Sequence, residues 1–237
     1  MYEAISNLAD MPRIHLFGIT ILEPFTVLTN LLIALACFYA YYGLKKRGLN
    51  QSFTHRYIGY FFLLIGWATI IGGVIGHAFL YATGLYGKIP GWYISMAGVA
   101  AFERAVISHS RPLMNKNVGR FFSVLNIFEI LTFMTLSLVK LDFLYVELHA
   151  TYGLVVVVFS FELYVYLKTK EKAFQYLLYA TAAGVGAILC HALKLSLNRW
   201  FNYNDISHLF MAVSILFYYR FALLIKLYGK DEGNSIS

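Results

Sequence analysis

"YIGYFFLLIGWATIIGGVIGHAFLYAT", Tyr57 to Thr83, runs without an Asp, Glu, Lys or Arg. About 20 apolar residues in a helix already cross the roughly 30 Å of hydrocarbon in a bilayer. A helix that is apolar all round must be buried in a large core or solvated by lipid. The stretch therefore predicts a membrane span. It carries one oddity, His77, close to its end.

Further apolar runs repeat the pattern. The predicted spans are 20–43, 57–83, 91–109, 121–140, 143–167, 173–197 and 206–228, with short connections, no Pro/Ser-rich linker and no internal repeat. Composition agrees: 59% of the 237 residues are hydrophobic and 13% charged, against about 25% charged in a soluble domain. The expectation is an all-α polytopic membrane protein, a seven-transmembrane helix bundle forming one domain over 1–237, with no removable signal peptide. Cys37 and Cys190 sit singly in apolar stretches and form neither a disulfide framework nor a paired metal motif.

Basic residues set the expected orientation. Of 19 Lys and Arg, 14 fall on one set of loops and the C-terminal tail, including Lys45, Lys46, Arg47, Arg56, Arg111, Lys116, Arg120, Lys168, Lys172, Lys226 and Lys230. Arg13, Lys88, Lys140, Lys194 and Arg199 fall on the other side. The richer side is expected to be cytoplasmic, which puts the N-terminus outside and the C-terminus inside, in the plasma (inner) membrane. The net charge of +7 is then a topology signal that also favours anionic headgroups. Membrane lipids are the expected partners, and nucleic acid is not.

Ionisable groups inside a bilayer are costly and ask for a partner or a function. Glu23, His77, Glu147, His149, His191, Asn204, Asp205 and His208 come from five predicted helices, yet all fall at the outer ends of their spans. Glu23, Thr26 and Asn30 follow i, i+3, i+7 spacing, a polar stripe expected to face the bundle interior. Gly72, Gly73 and Gly76 before His77 allow a neighbouring backbone to come close. Plainer roles exist for several of these. Asp205 suits a helix N-cap, Glu23 before Pro24 suits the start of span one, and His149 beside Glu147 suits a headgroup contact. Glu129 and Glu162, deeper or on the other side, suit interhelical hydrogen bonds. Three histidines at one depth, His77, His191 and His208, instead suggest zinc, which takes three or four N, O or S ligands.

Three short motifs strengthen that suggestion. "EPFTVLTN" (Glu23–Asn30), "GVIGH" (Gly73–His77) and "NDISH" (Asn204–His208) resemble, in order and helix number, motifs of the seven-helix membrane hydrolase superfamily of alkaline ceramidases and adiponectin/progestin receptors. The resemblance implies an intramembrane zinc ion and hydrolysis of a lipid amide, in a divergent bacterial branch. His77 and His208 match ligand positions, and Glu23 and Asn30 match the first-helix motif. Gly73 replaces the family's serine and Asn204 a histidine, while "GKIPGWYISM" around Trp92 lacks its aspartate.

The expected activity is therefore zinc-dependent hydrolysis of a lipid-like amide or ester. His77, His191 and His208 would be the ligands, Glu23 or Asp205 the acid/base, and Asn204 and Asn30 supporting groups. The alternative is a non-catalytic lipid-binding receptor or accessory membrane subunit, which the three replaced residues favour. A retinal protein is excluded, because Ile206 to Ile225 contains no lysine.

Overall fold

The computed structural model describes residues 7–228; Lys230 lies outside them. A hairpin comes first. Strands β1 (Arg13–Leu16) and β2 (Ile19–Leu22) pair antiparallel, Leu16 opposite Ile19. Phe17 and Gly18 make the two-residue turn, both at positive φ (51° and 78°), as a turn matched to strand twist requires.

Long helices follow: α1 (Pro24–Lys46), α2 (Phe53–Ala78), α3 (Ile89–Ser110), α4 (Lys116–Lys140), α5 (Leu144–Thr169), α6 (Phe174–Ala192) and α7 (Tyr203–Leu224). All but α3 are long and apolar enough to cross a membrane, and the chain is an all-α integral membrane protein. Leu28, Leu35, Trp67, Phe128 and Val139 stand exposed on these helices, where lipid would solvate them.

The predicted span 91–109 does form a helix, but of another kind. Most of α3 is buried, with α2, α4 and α5 packed around it. Small residues let them come close: a Cβ on Gly98 would meet Ile65 at 3.0 Å. A helix shielded from lipid need not be apolar, so α3 can carry Glu103 and Arg104.

Two predicted boundaries are corrected. The first span was set to begin at 20, but Ile19–Leu22 is a strand. The helix begins at Pro24, whose missing N–H and fixed φ suit a first turn. The sixth was set to end at 197, but α6 stops at Ala192, and Lys194 has φ 53°, which no right-handed helix continues.

Polar ties join the helices where apolar contact with lipid could not. Ser207 and Ser214 donate to the Ala187 and Ala180 carbonyls, each at 2.8 Å, clasping α7 to α6. His55 Nε2 bonds the Ala222 carbonyl at 2.9 Å near the end of α7, one of the carbonyls a helix end leaves without partners. Beyond α7 the chain is strapped down. His109 bonds the Lys226 carbonyl at 2.7 Å and Glu162 at 2.9 Å, while Glu171 accepts from the Lys226 N–H and the Tyr228 hydroxyl. Burial and the Glu171 hydrogen bond push the Tyr228 phenol up to about 12. The expected interhelical role of Glu162 is thus seen.

Candidate functional site

The hairpin delivers Glu23. Its backbone is left-handed (φ 44°, ψ 55°) and turns the chain from β2 into α1, and its side chain does not cap that helix. It reaches across to α2, where His77 Nδ1 donates to Glu23 Oε2 at 2.7 Å. The last turns of α2, Gly72–Ala78, are π-helical: the Phe79 N–H bonds the Val74 carbonyl, five residues back, at 3.0 Å. Of the three glycines expected to admit a neighbour, Gly73 and Gly76 do, while a Cβ on Gly72 would meet nothing within 4 Å. A Cβ on Gly73 would meet Asn30 at 2.9 Å, and the Lys88 stem lies against Gly76.

Burial opposes the Glu23 carboxylate, but the His77 bond and the charges of His77 and Lys88 outweigh it, so its carboxyl sits below the usual range. Burial also pulls the Lys88 ammonium down, against the pull of Glu23. The stripe Glu23, Thr26 and Asn30 is buried. Asn30 itself is occupied within its helix, donating to the Thr26 carbonyl at 2.9 Å.

Asn202, not Asp205, is the N-cap of α7. The Asn202 side chain accepts from the Asn204 N–H at 2.8 Å, and Asp205 Oδ2 accepts from the Asn202 N–H at 2.7 Å, a reciprocal capping box. Asp205 Oδ1 accepts from Thr29 at 3.3 Å. Asp205 is fully buried and both its oxygens are used, which suits a structural carboxylate better than an acid/base. Asn204 takes part through its backbone. One turn on, His208 Nδ1 lies 2.9 Å from Thr29 Oγ1.

His191, near the end of α6, pairs with Glu147 of α5 at 2.5 Å and packs edge-on against Tyr203. A shared pattern emerges. In His77, His191 and His208 the Nδ1 atom is held by a carboxylate or hydroxyl, and among the described residues nothing hydrogen-bonds the Nε2 atoms. Histidines that ligate metals have this arrangement.

His208 is near enough to both His77 and His191 to feel their charge, but the three are not drawn together as an ion would hold them. Donor atoms around zinc lie about 3–3.5 Å apart when each is about 2.0–2.1 Å from the metal. Among the described residues the trio His77, His191 and His208 is not gathered even within 4.8 Å, and the one group that is comprises Glu103, Glu129 and His149. The predicted zinc trio is therefore not assembled as placed, because each imidazole is anchored to its own helix pair. His149, which suited a place in the histidine group and a headgroup contact equally, is fully buried and faces Glu129 of α4. Glu103 was missed. A glutamate inside an apolar, alanine-rich stretch was the available signal.

With the geometry in view, the comparisons add one result. No curated protein and no solved structure matches the chain. A family model matches residues 25–226, which takes in all seven long helices except Pro24. The chain belongs to that family, described as "Family of unknown function (DUF6962)".

Proposed function

We propose that α3 is the seventh crossing, that the N-terminus is outside and the C-terminus cytoplasmic, and that the hairpin end binds the polar head of a lipid-like molecule in the outer leaflet. On this reading the protein is a lipid-binding receptor or accessory subunit on the plan of the ceramidase and adiponectin-receptor superfamily. One observation carries it. Leu16, Phe17 and Ile19 are exposed at the hairpin tip, Phe17 by 94%, and β2 runs straight into Glu23, His77 and Lys88. An apolar tip of this kind suits the acyl boundary, while the charged group behind it suits a headgroup. The 14-to-5 distribution of Lys and Arg supports the orientation.

The test is lipid carried through purification. Mass spectrometry of protein in nanodiscs should find one lipid class enriched, and His77→Gln and Phe17→Asp should each lower its retention by about tenfold, or about 1.4 kcal/mol. Equal retention in all three proteins would remove the reading.

A second reading is hydrolysis of a lipid-like amide or ester. The Glu23–His77 pair favours it, since a carboxylate on Nδ1 leaves Nε2 poised as a general base. Zinc on His77, His191 and His208 would need these imidazoles to draw closer together than they stand. A panel of lipid amides and esters decides it: turnover lost in both His77→Gln and Glu23→Gln supports hydrolysis, and no turnover leaves binding alone.

A further inference from the structure

Away from the hairpin end, Glu103 of α3, Glu129 of α4 and His149 of α5 meet inside the bundle. One donor atom from each lies within 4.8 Å of the other two. Glu103 is 1% exposed and His149 0%. Four of their polar atoms, Glu103 Oε1, Glu129 Oε1 and both ring nitrogens of His149, are buried and hydrogen-bonded to nothing. His149 Nε2 lies 3.6 Å from Glu129 Oε1, too long for a hydrogen bond, and the Glu103 and Glu129 carboxyls stand close enough to share a proton. Buried polar atoms almost always find partners. Four such atoms at one point leave a place for a partner from outside the chain.

The surroundings hold these groups in position. Asn126 donates to Glu103 Oε2 at 3.1 Å, fixing that oxygen and leaving Oε1 turned to the cluster. Gly153 makes room for it, since a Cβ there would lie closer to Glu103 Oε1 than any real contact. Gly153 belongs to a second π-helical stretch, Tyr152–Val158, and such wide turns favour functional sites. Phe133 packs edge-on against the His149 ring at 5.5 Å. Among the described residues neither carboxylate forms an ion pair with Lys or Arg. Two carboxylates in an apolar interior call for positive charge, supplied by a cation or by a proton.

We propose that Glu103, Glu129 and His149 bind one divalent transition-metal ion inside the helix bundle. Two carboxylates and one imidazole suit Mn²⁺, Fe²⁺ or Zn²⁺, and the doubly charged ion balances both carboxylates. Three protein donors leave coordination positions for water. Asn126 acts as a positioning residue through Glu103. The site is independent of the lipid-binding reading of the hairpin end.

Elemental analysis of the full chain, purified in detergent after chelation and reloaded with Mn²⁺, Fe²⁺ or Zn²⁺ in turn, tests this. One of the three should be retained at one ion per chain. Glu103→Gln and Glu129→Gln should abolish retention, and Asn126→Ala should weaken affinity by about 10–100-fold. X-ray absorption of the loaded wild type guards against variants that fail to fold: the first shell should contain a single imidazole among oxygen donors. Three results each overturn the proposal: negligible metal in reloaded wild type, as a proton shared between the carboxylates would give; retention unchanged in both Gln variants; or a shell of two or three imidazoles. Metal lost from His77→Gln but kept in Glu103→Gln would likewise place the ion at the hairpin end.

Discussion

The hairpin end and the centre of this bundle handle histidine in opposite ways. At the hairpin end three imidazoles each have a partner of their own: Glu23, Glu147 and Thr29. In the centre one imidazole and two carboxylates crowd together, and four of their polar atoms have no partner at hydrogen-bond distance. A residue's depth in the membrane therefore says little about which group it shares. Pairing depends on the direction a side chain takes around its helix.

The contrast can be strained hardest at Gly153. Gly153→Val should push a branched side chain into Glu103 and Val99, and overpacking of this kind costs about 1–3 kcal/mol. Thermal unfolding in detergent should show the loss. A midpoint equal to wild type would mean that the centre is looser than described.

His77→Ala comes next. It strips a partly buried carboxylate of its partner, for which about 1–2 kcal/mol is expected, and His191→Ala should cost less, since Glu147 is 35% exposed and water can replace the imidazole. If the order reversed, the two pairs would have been ranked wrongly.

Acid should expose the same pair by another route. The folded Glu23 carboxyl lies below its ordinary value of 4.5. The unfolded chain thus takes up the proton first, and the stability Glu23 contributes is complete above that value and drains away as pH falls through the folded one. Glu23→Gln should flatten this acid limb in unfolding midpoints measured across the range; an unaltered slope would assign it to other carboxylates.

The smallest effect belongs to the hairpin tip. Phe17→Ser should change stability by no more than about 0.5 kcal/mol, as at other exposed positions, while weakening adsorption to lipid vesicles in a flotation assay. A large destabilisation would mean that Phe17 packs against the protein.

The long helices were legible in the sequence because the requirement is crude: an uninterrupted apolar run. The polar stripe of α1 was legible too, since it lies on regular helix, and the close approach at Gly73 followed from the glycines alone. The rest was hidden for identifiable reasons. Short apolar strands at 13–22 look like the start of a span until the Phe17–Gly18 turn is known. Asp205 and Asn202 differ in role by three residues, which composition does not resolve. His77 sits within a π-helical stretch, so a regular wheel of 100° per residue misdirects it. Glu103 sits beside Arg104, and since adjacent residues on a helix face different ways, their order in the chain does not show which of them points inward. His149 followed Glu147 so closely that both were assigned to the surface, although one faces Glu129 and the other His191.

The two wide-turn stretches, Gly72–Ala78 and Tyr152–Val158, have an implication for how this chain tolerates changes of length. Removing one residue from an ordinary α-helix rotates everything beyond it by about 100°. Removing one from either stretch would tighten the loose winding instead, leaving the distant turns in phase. Each stretch includes or closely follows a histidine. Length variation there would re-aim one imidazole while sparing the remaining architecture, which makes these the natural points for relatives to diverge in chemistry.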